Sequence, residues 1–401
     1  MLKSRLVNFV SLRRKHYEKH EIHLQILRVF VDNKSRTSSD RPIFHHLQEV
    51  FMKRGLAIAL CMVMMGGLSG CGDTETPKQS AVLQKVAETP QKEDFKAITA
   101  IKPGQKNIYV VIKSFHNPYW QEVLNGMKKA GEEAHVNVYA GGVLADKAWE
   151  VQRDMIRGIE DSKIDALVLG TADSLRIAEV TKELRDKNKP VILVDTMINT
   201  QDYDAAFLTN NLQVGADAAK EMIELLHENG ISEADEITVA MQASNLSSRT
   251  ESERLDSIIA AWYGIAPKNW KIDNNYLISF GDPSVAKDLV TKALKTNPKL
   301  KAIFAVNNNC TNAAMQSVME LGRTDVSVMG FDMSETIEKG IAKEEYKFAT
   351  IMQNPYKIGA GAIKAAAAAA SGEKLTVRDV DTGAAVATSQ NYKEVIAASK
   401  E

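Results

Sequence analysis

Cysteine is scarce in this sequence, with only Cys61, Cys71 and Cys310 among 401 residues. Three cysteines are too few for the disulfide framework that holds small secreted domains together. The chain must therefore rely on buried apolar surface, and its 44% content of hydrophobic residues allows a large core. The length predicts two or three domains rather than one.

An excess of positive charge is missing from most of the chain. Residues 72–401 carry 38 basic and 46 acidic residues, whereas residues 1–51 carry ten basic residues, five acidic residues and five of the eight histidines. The long C-terminal part is thus a mildly acidic body without the basic surface that nucleic-acid binding requires. We expect no nucleic-acid partner.

Motifs of the common enzyme classes are absent. The chain has no G-x-S-x-G elbow, no phosphate-binding P-loop, no H-E-x-x-H pair and no G-x-G-x-x-G after a predicted strand. Two acidic side chains in a cleft would support acid–base chemistry only if their pKa values were split. The sequence therefore predicts that the protein is not an enzyme and uses no metal or cofactor.

The apolar stretch near the start is too short to cross a bilayer. Residues 56–65, which follow Lys53 and Arg54, would rise only about 15 Å as a helix, about half of a bilayer core. Positive charge, a short apolar run and small residues ending at Cys71 are typical of a signal peptide, here residues 52–71. The tetrad Leu-Ser-Gly-Cys at 68–71 resembles a bacterial lipobox, which implies that Cys71 is lipidated. The alternative is a buried apolar segment with an incidental cysteine.

The segments on either side of this signal peptide need separate explanations. Residues 1–51 precede the point where a signal peptide should begin, so we expect an upstream extension from a start codon assigned too early. A genuine cytosolic extension is the alternative. Residues 72–106 are polar, mixed in charge and contain Pro77, Pro90 and Pro103, which is typical of a flexible tether.

A regular alternation of apolar runs and helical segments begins at Asn107. Apolar runs without strict alternation are typical of parallel strands that are covered on both faces. The first series of strands is predicted at 107–112, 136–139, 166–169 and 191–194, with helices at 120–134, 148–159 and 175–187. The second series is predicted at 237–241, 276–279, 302–306 and 327–330, with helices at 212–227, 253–262, 285–295 and 311–321. The pattern predicts two α/β lobes with doubly wound parallel sheets.

Polar and aromatic residues follow the strands at the ends where ligands bind in such sheets. They lie at 114–120, 170–174, 195–196, 307–309, 331–332 and 353–355. Carboxylates and amides suit a ligand with many hydroxyls, and an aromatic face covers the C–H side of a sugar ring. Structural roles are the alternative: Asn308 and Asn309 would cap the next helix, and only one of Tyr119 and Trp120 would reach a ligand.

Six motifs, taken in order, resemble those of type I periplasmic binding proteins of the ribose and galactose kind. They are N-P-Y-W at 117–120, V-D at 194–195, T-N-N at 209–211, F-A-V-N-N at 304–308, M-G-F-D at 329–332 and A-T-I-M-Q-N-P-Y-K-I-G at 349–359. The resemblance covers about 107–392 and implies two lobes, joined by three crossovers, that close over a sugar. It implies a first lobe of 107–209 and 354–381 and a second lobe of 210–353 and 382–396.

The resemblance also implies which residues contact the ligand. Positions that match the family motifs are Asn117, Tyr119, Trp120, Asp195, Asn307, Asp332 and Gln353. Two departures concern arginine, because Thr196 stands where ribose binders carry arginine and the segment 242–254 offers Arg249 and Arg254 without clean registration. We assign the ligand contact to Arg254, with a role on the helix face as the alternative, and ribose itself is not assumed.

Together these features predict a lipid-anchored, extracytoplasmic solute-binding protein at the outer face of the cytoplasmic membrane or in the periplasm. We expect a monomer that captures a monosaccharide or related polyol and delivers it to the permease of an ABC importer. A sugar sensor that partners a membrane histidine kinase or chemoreceptor is the alternative. A sugar-responsive repressor would need a DNA-binding head where the signal peptide stands.

Overall fold

A computed structural model describes residues 92–145 and 148–399. The strands in these ranges are β1 (Lys92–Ala97), β2 (Asn107–Ile112), β3 (Asn137–Val143), β4 (Ala166–Leu169), β5 (Val191–Val194), β6 (Ala205–Leu208), β7 (Ile237–Ala243), β8 (Trp270–Ile272), β9 (Leu277–Ile278), β10 (Leu300–Ala305), β11 (Ser327–Phe331), β12 (Phe348–Gln353), β13 (Asp379–Asp381) and β14 (Ala384–Ala387). The helices are α1 (Pro118–Glu133), α2 (Trp149–Arg157), α3 (Ala178–Asp186), α4 (Asn211–Glu228), α5 (Arg249–Ile265), α6 (Pro283–Thr296), α7 (Asn308–Glu320), α8 (Glu335–Ile341), α9 (Pro355–Ala370) and α10 (Tyr392–Ala398). None of these helices is long and apolar enough to cross a membrane.

The strands form two sheets, and each sheet is the centre of one lobe. The sheet of lobe one has the order β1-β3-β2-β4-β5-β6-β13, and the sheet of lobe two has the order β14-β12-β11-β10-β7-β8, with β9 also paired to β7. Pairing is parallel throughout except at one edge of each sheet, where β1 runs antiparallel to β3 and β14 antiparallel to β12. The predicted fold class of two doubly wound α/β lobes is confirmed.

The central strands are covered by helices on both faces, as their continuous apolar runs predict. Every residue of β4 and β5 is buried, so both faces of the sheet carry apolar cores. In lobe one, α1 and α9 cover one face and α2 and α3 cover the other. In lobe two, α4 and α5 cover one face while α6, α7 and α8 cover the other.

The structure differs from the sequence prediction at the first strand. Residues 92–97 were predicted to lie in the flexible tether, but they form β1 at the edge of the sheet of lobe one. Their sequence, K-E-D-F-K-A, is highly charged because most of this edge strand faces solvent. Phe95 provides an apolar contact with the rest of lobe one, since the centre of its ring lies 5.0 Å from that of Tyr109.

The chain passes between the two sheets three times. These crossings follow β6, follow β12 and lie between β13 and β14. Thr209, at the first crossing, is buried, and Gln353 ends β12 at the second. The carboxyl ends of the parallel strands of both lobes consequently face a shared cleft.

Candidate functional site

The cleft between the lobes brings together all eight residues that the sequence analysis selected as ligand contacts. It leaves about 410 Å³ free of protein atoms, part of it open to solvent. The predicted residues that line it are Asn117, Tyr119, Trp120, Asp195, Arg254, Asn307, Asp332 and Gln353.

The start of α1 supplies three of these side chains from lobe one. Asn117 caps the helix, because its Oδ1 accepts a hydrogen bond from the Tyr119 amide at 2.9 Å. The same side chain donates from Nδ2 to Asn309 Oδ1 of lobe two, also at 2.9 Å. Tyr119 and Trp120 are both buried and both line the cleft, so the expectation that only one of them reaches the site is wrong.

Asp195 stands at the end of β5 with both carboxylate oxygens already used by the protein. The Tyr119 hydroxyl donates to Oδ1 at 2.8 Å, and the Thr196 hydroxyl donates to Oδ2 at 2.5 Å. The ammonium of Lys113 lies 3.6 Å from Oδ2. Burial, and then the charge of Asp195, raise the pKa of Tyr119 well above its usual value, so its hydroxyl remains a donor.

Asp332 occupies the corresponding strand end in lobe two, after β11, but has fewer partners. Gln353 Nε2 donates to its Oδ1 at 2.7 Å. Burial raises the pKa of Asp332 to about 6, although Arg254 and Gln353 both lower it and Asp195 adds to the rise. The charged carboxylate is therefore poorly compensated, and additional donors from a ligand would stabilise it.

Arg254 reaches the cleft from α5 and is 2% exposed. Its Nε donates to Asn211 Oδ1 at 2.9 Å and its Nη1 to the Val306 carbonyl at 2.8 Å, while the guanidinium lies 4.2 Å from the centre of the Phe331 ring. Its Nη2 is buried and has no hydrogen-bond partner. Arg249, the other candidate arginine, pairs with Glu253 near the surface.

The asparagines after β10 have exchanged the roles that were expected of them. Asn307 caps α7, because its Oδ1 accepts from the Cys310 amide at 2.9 Å. The predicted capping role of Asn308 and Asn309 is therefore wrong. Both instead line the cleft, and both accept hydrogen bonds from Asn117 Nδ2.

Sequence reasoning missed three further residues that line the cleft, namely Lys113, Thr250 and Glu251, and placed Ser114 at a strand end without selecting it as a contact. Lys113 directly follows the apolar strand β2, and that position was the available signal. With Arg254, the cleft contains two basic side chains, against the three acidic side chains of Asp195, Glu251 and Asp332. No group of three His, Cys, Asp or Glu side chains in the described ranges is placed to hold a metal ion. Cys71, the predicted lipidation site, lies outside those ranges.

Comparison with known proteins places this geometry in a family. Residues 108–374 match the family model described as a periplasmic binding protein domain. The ribose import binding protein of Salmonella typhimurium is 23% identical over 281 residues, which cover 70% of this chain and 90% of that protein. The D-allose-binding periplasmic protein of Escherichia coli is 24% identical over 266 residues, or 64% of this chain and 81% of that one.

A solved structure shares the fold over almost its full length. The solute-binding protein of an ABC transporter from Agrobacterium vitis, with bound D-fucose, aligns with a TM-score of 0.67 and 23% identity. The alignment covers 73% of this chain and 99% of that one. The predicted resemblance to type I periplasmic sugar-binding proteins is confirmed. The chain belongs to the periplasmic binding protein domain family, an extracytoplasmic family of solute-binding proteins rather than enzymes.

Proposed function

We propose that the cleft captures a neutral monosaccharide or related polyol and that the protein delivers it to the permease of an ABC importer. The observation that carries this proposal is a buried donor without a partner in a cleft that also holds the buried carboxyl of Asp332. Arg254 Nη2 is a donor without an acceptor, and Asp332 is an acceptor whose charged form is disfavoured by burial although Gln353 and the Asn308 backbone donate to it. A sugar hydroxyl both donates and accepts, so neighbouring hydroxyls would satisfy both groups.

The remaining lining supports the same class of ligand. Tyr119 and Trp120 provide aromatic surface for the C–H face of a sugar ring, while Asn307 and Gln353 provide amides. Opposite charges nearly balance in the cleft, which favours a neutral ligand over an ionic one. The relatives described above, a ribose import binding protein and a D-allose-binding protein, agree with this choice without deciding between sugars.

Three further parts of the proposal concern the whole chain. We propose that Cys71 carries a lipid anchor at the outer face of the cytoplasmic membrane or in the periplasm, and that the protein acts as a monomer. We propose lobe boundaries at 107–209 with 354–381 and at 210–353 with 382–396, and extend lobe one back to Lys92 because β1 belongs to its sheet. The crossings after β6, after β12 and between β13 and β14 support these boundaries.

A thermal-shift screen of the full chain against pentoses, hexoses and cyclitols tests the ligand class. A ligand that binds the native state raises the melting temperature by mass action, so at least one neutral sugar should raise it in a concentration-dependent way. Asp332→Ala should weaken sugar binding by tenfold or more, so that the same shift needs at least ten times more sugar, while the circular dichroism spectrum stays unchanged. A shift produced only by charged solutes, or an unchanged response in Asp332→Ala, would contradict the proposal.

A further inference from the structure

We propose that lobe one caps the N-terminus of α5 in lobe two, and that this cap sets the lifetime of the closed, ligand-bound form. The hydrogen bond that forms the cap joins Ser174 to the Arg249 amide and acts through lobe closure. This inference rests on the proposed function, since it explains part of the affinity of that same cleft.

The cap is visible at the first residue of α5. The first amides of a helix have no partner within the helix, and a side chain at the N-cap normally accepts from one of them. The N-cap residue Ser248 forms no such bond. The amide of Arg249 donates instead to Ser174 Oγ at 2.9 Å, and Ser174 follows β4 in the other lobe.

Two neighbouring residues extend this contact on either side of Arg249. Thr250 Oγ1 donates to the Asp195 carbonyl at 2.8 Å, and Lys113 Nζ donates to Ser248 Oγ at 3.3 Å. Three successive residues at the start of α5, 248–250, therefore form hydrogen bonds with lobe one. Ser174, Ser248 and Thr250 are each no more than 4% exposed.

These bonds join protein to protein and exist only while the lobes are in contact. Separation of the lobes would leave the Arg249 amide to water, so the cap favours the closed form whatever occupies the cleft. Interactions that exist in the closed complex and not in the encounter slow dissociation more than they speed association.

Two substitutions of Arg249 distinguish the contribution of its backbone amide from that of its side chain. Proline is well tolerated at the first position of a helix, and Ser248, with ψ of 119°, has the extended conformation that a following proline requires. Arg249→Pro replaces the donated hydrogen with a ring carbon that crowds Ser174 Oγ, so it abolishes the capping bond together with the side chain, whereas Arg249→Ala removes only the side chain. We expect Arg249→Pro to dissociate about fivefold faster than Arg249→Ala from the best sugar of the screen, with equal association rates.

Substitution of the acceptor of this hydrogen bond provides a second, independent pair of variants. Ser174→Ala removes the capping oxygen, and Ser252→Ala removes a hydroxyl of the same helix that donates only to the Arg249 carbonyl within α5. Ser174→Ala should also dissociate about fivefold faster than its control. The double variant Ser174→Ala with Arg249→Pro should be no faster than either single variant, because both remove one bond.

Stopped-flow fluorescence of Trp120 and the other tryptophans measures both rates, and deuterium uptake at 246–252 provides a readout that needs no sugar. Faster uptake in Ser174→Ala than in Ser252→Ala would support the cap even if no sugar binds and the proposed function fails. Equal dissociation rates within both pairs, additive effects in the double variant, or equal uptake would overturn the inference.

Discussion

Two aspartates with the same backbone conformation have different roles in this cleft. Asp195 and Asp332 follow β5 and β11, and both have positive φ, 63° and 68°, a region that Asp and Asn adopt more readily than other side chains. The oxygens of Asp195 are occupied by protein donors, whereas Asp332 is left with a raised pKa. Lobe two therefore holds the acidic group that has more to gain from a ligand.

We predict that Asp332 makes the ligand-free protein less stable as the pH rises. The native carboxyl keeps its proton to about pH 6, while the unfolded one loses it near 3.8. The stabilisation is thus fully present below pH 4 and is lost as the pH rises through 6, up to roughly 3 kcal/mol. Urea unfolding of wild type and Asp332→Asn between pH 4 and 8 should show the two stabilities diverging in this window. Parallel curves would contradict the assignment.

A second prediction concerns the pH dependence of sugar binding. A ligand that donates hydroxyls to Asp332 needs the carboxylate, so affinity should be constant above pH 7 and fall as the pH drops through 6. Titration by isothermal calorimetry between pH 5 and 8 measures this. Asp332→Asn should bind at least tenfold more weakly at pH 7.5 and lose the pH dependence. An affinity that rises on acidification would exclude this carboxylate as an acceptor.

The individual site residues differed in how well the sequence revealed them. Ordered motifs at strand ends identified seven residues that line one cleft, and Arg254, selected from the segment 242–254, lines it as well. Thr250 could not be selected, because its role depends on the approach of the other lobe. Lys113 directly follows an apolar strand, but its contacts with Thr196 and Ser248 join residues far apart in the chain and could not be predicted from the sequence.

At the scale of elements, the site depends on how closely α1 packs against α9. Gly126 of α1 lies so near α9 that an added Cβ would stand 2.1 Å from the Tyr356 carbonyl oxygen. Gly359 of α9 makes the reciprocal approach to the Val123 carbonyl, at 2.0 Å. The two helices therefore meet backbone to backbone, and α1 carries Tyr119 and Trp120 at its start.

We predict that Gly126→Ala pushes α1 away from α9 and lowers both stability and sugar affinity. The contact is with backbone, which cannot rotate aside, so a loss of about 2 kcal/mol or more in unfolding free energy is expected. Gly264→Ala is the matched control, because nothing lies within 4 Å of its added Cβ and alanine favours the helix. Thermal denaturation and calorimetric titration of both variants measure the effects. Equal melting temperatures would show that the helices separate without cost.

The elements that the sequence predicted well were those with a uniform apolar run. The bounds of β2, β4 and β5 agree with the prediction because all of their residues except Asn107 are apolar and most are buried on both faces. The edge strands β1, β13 and β14 were not recognised, since exposed edges carry charged or small residues. A strand that is buried on both faces needs apolar residues along its length, so it can be predicted from the sequence. An edge strand has no such requirement.

At the scale of the whole molecule, we predict that a single cysteine holds the protein to the membrane. Cys71→Ala should abolish incorporation of a labelled lipid precursor in the native host and release the protein from the membrane fraction. Cys310→Ala is the control, because this cysteine is buried in lobe two. A membrane fraction that retains Cys71→Ala would contradict the lipid anchor.

The strand β1 has a practical consequence for anyone who shortens the chain. It covers the outer edge of β3 by antiparallel pairing, from Lys92 opposite Val143 to Ala97 opposite Tyr139. A truncation that begins at Asn107, where the first predicted strand starts, would bare that edge. An uncovered edge is a template for pairing with a second chain, so such a fragment would tend to aggregate. Soluble preparations should therefore begin before Lys92.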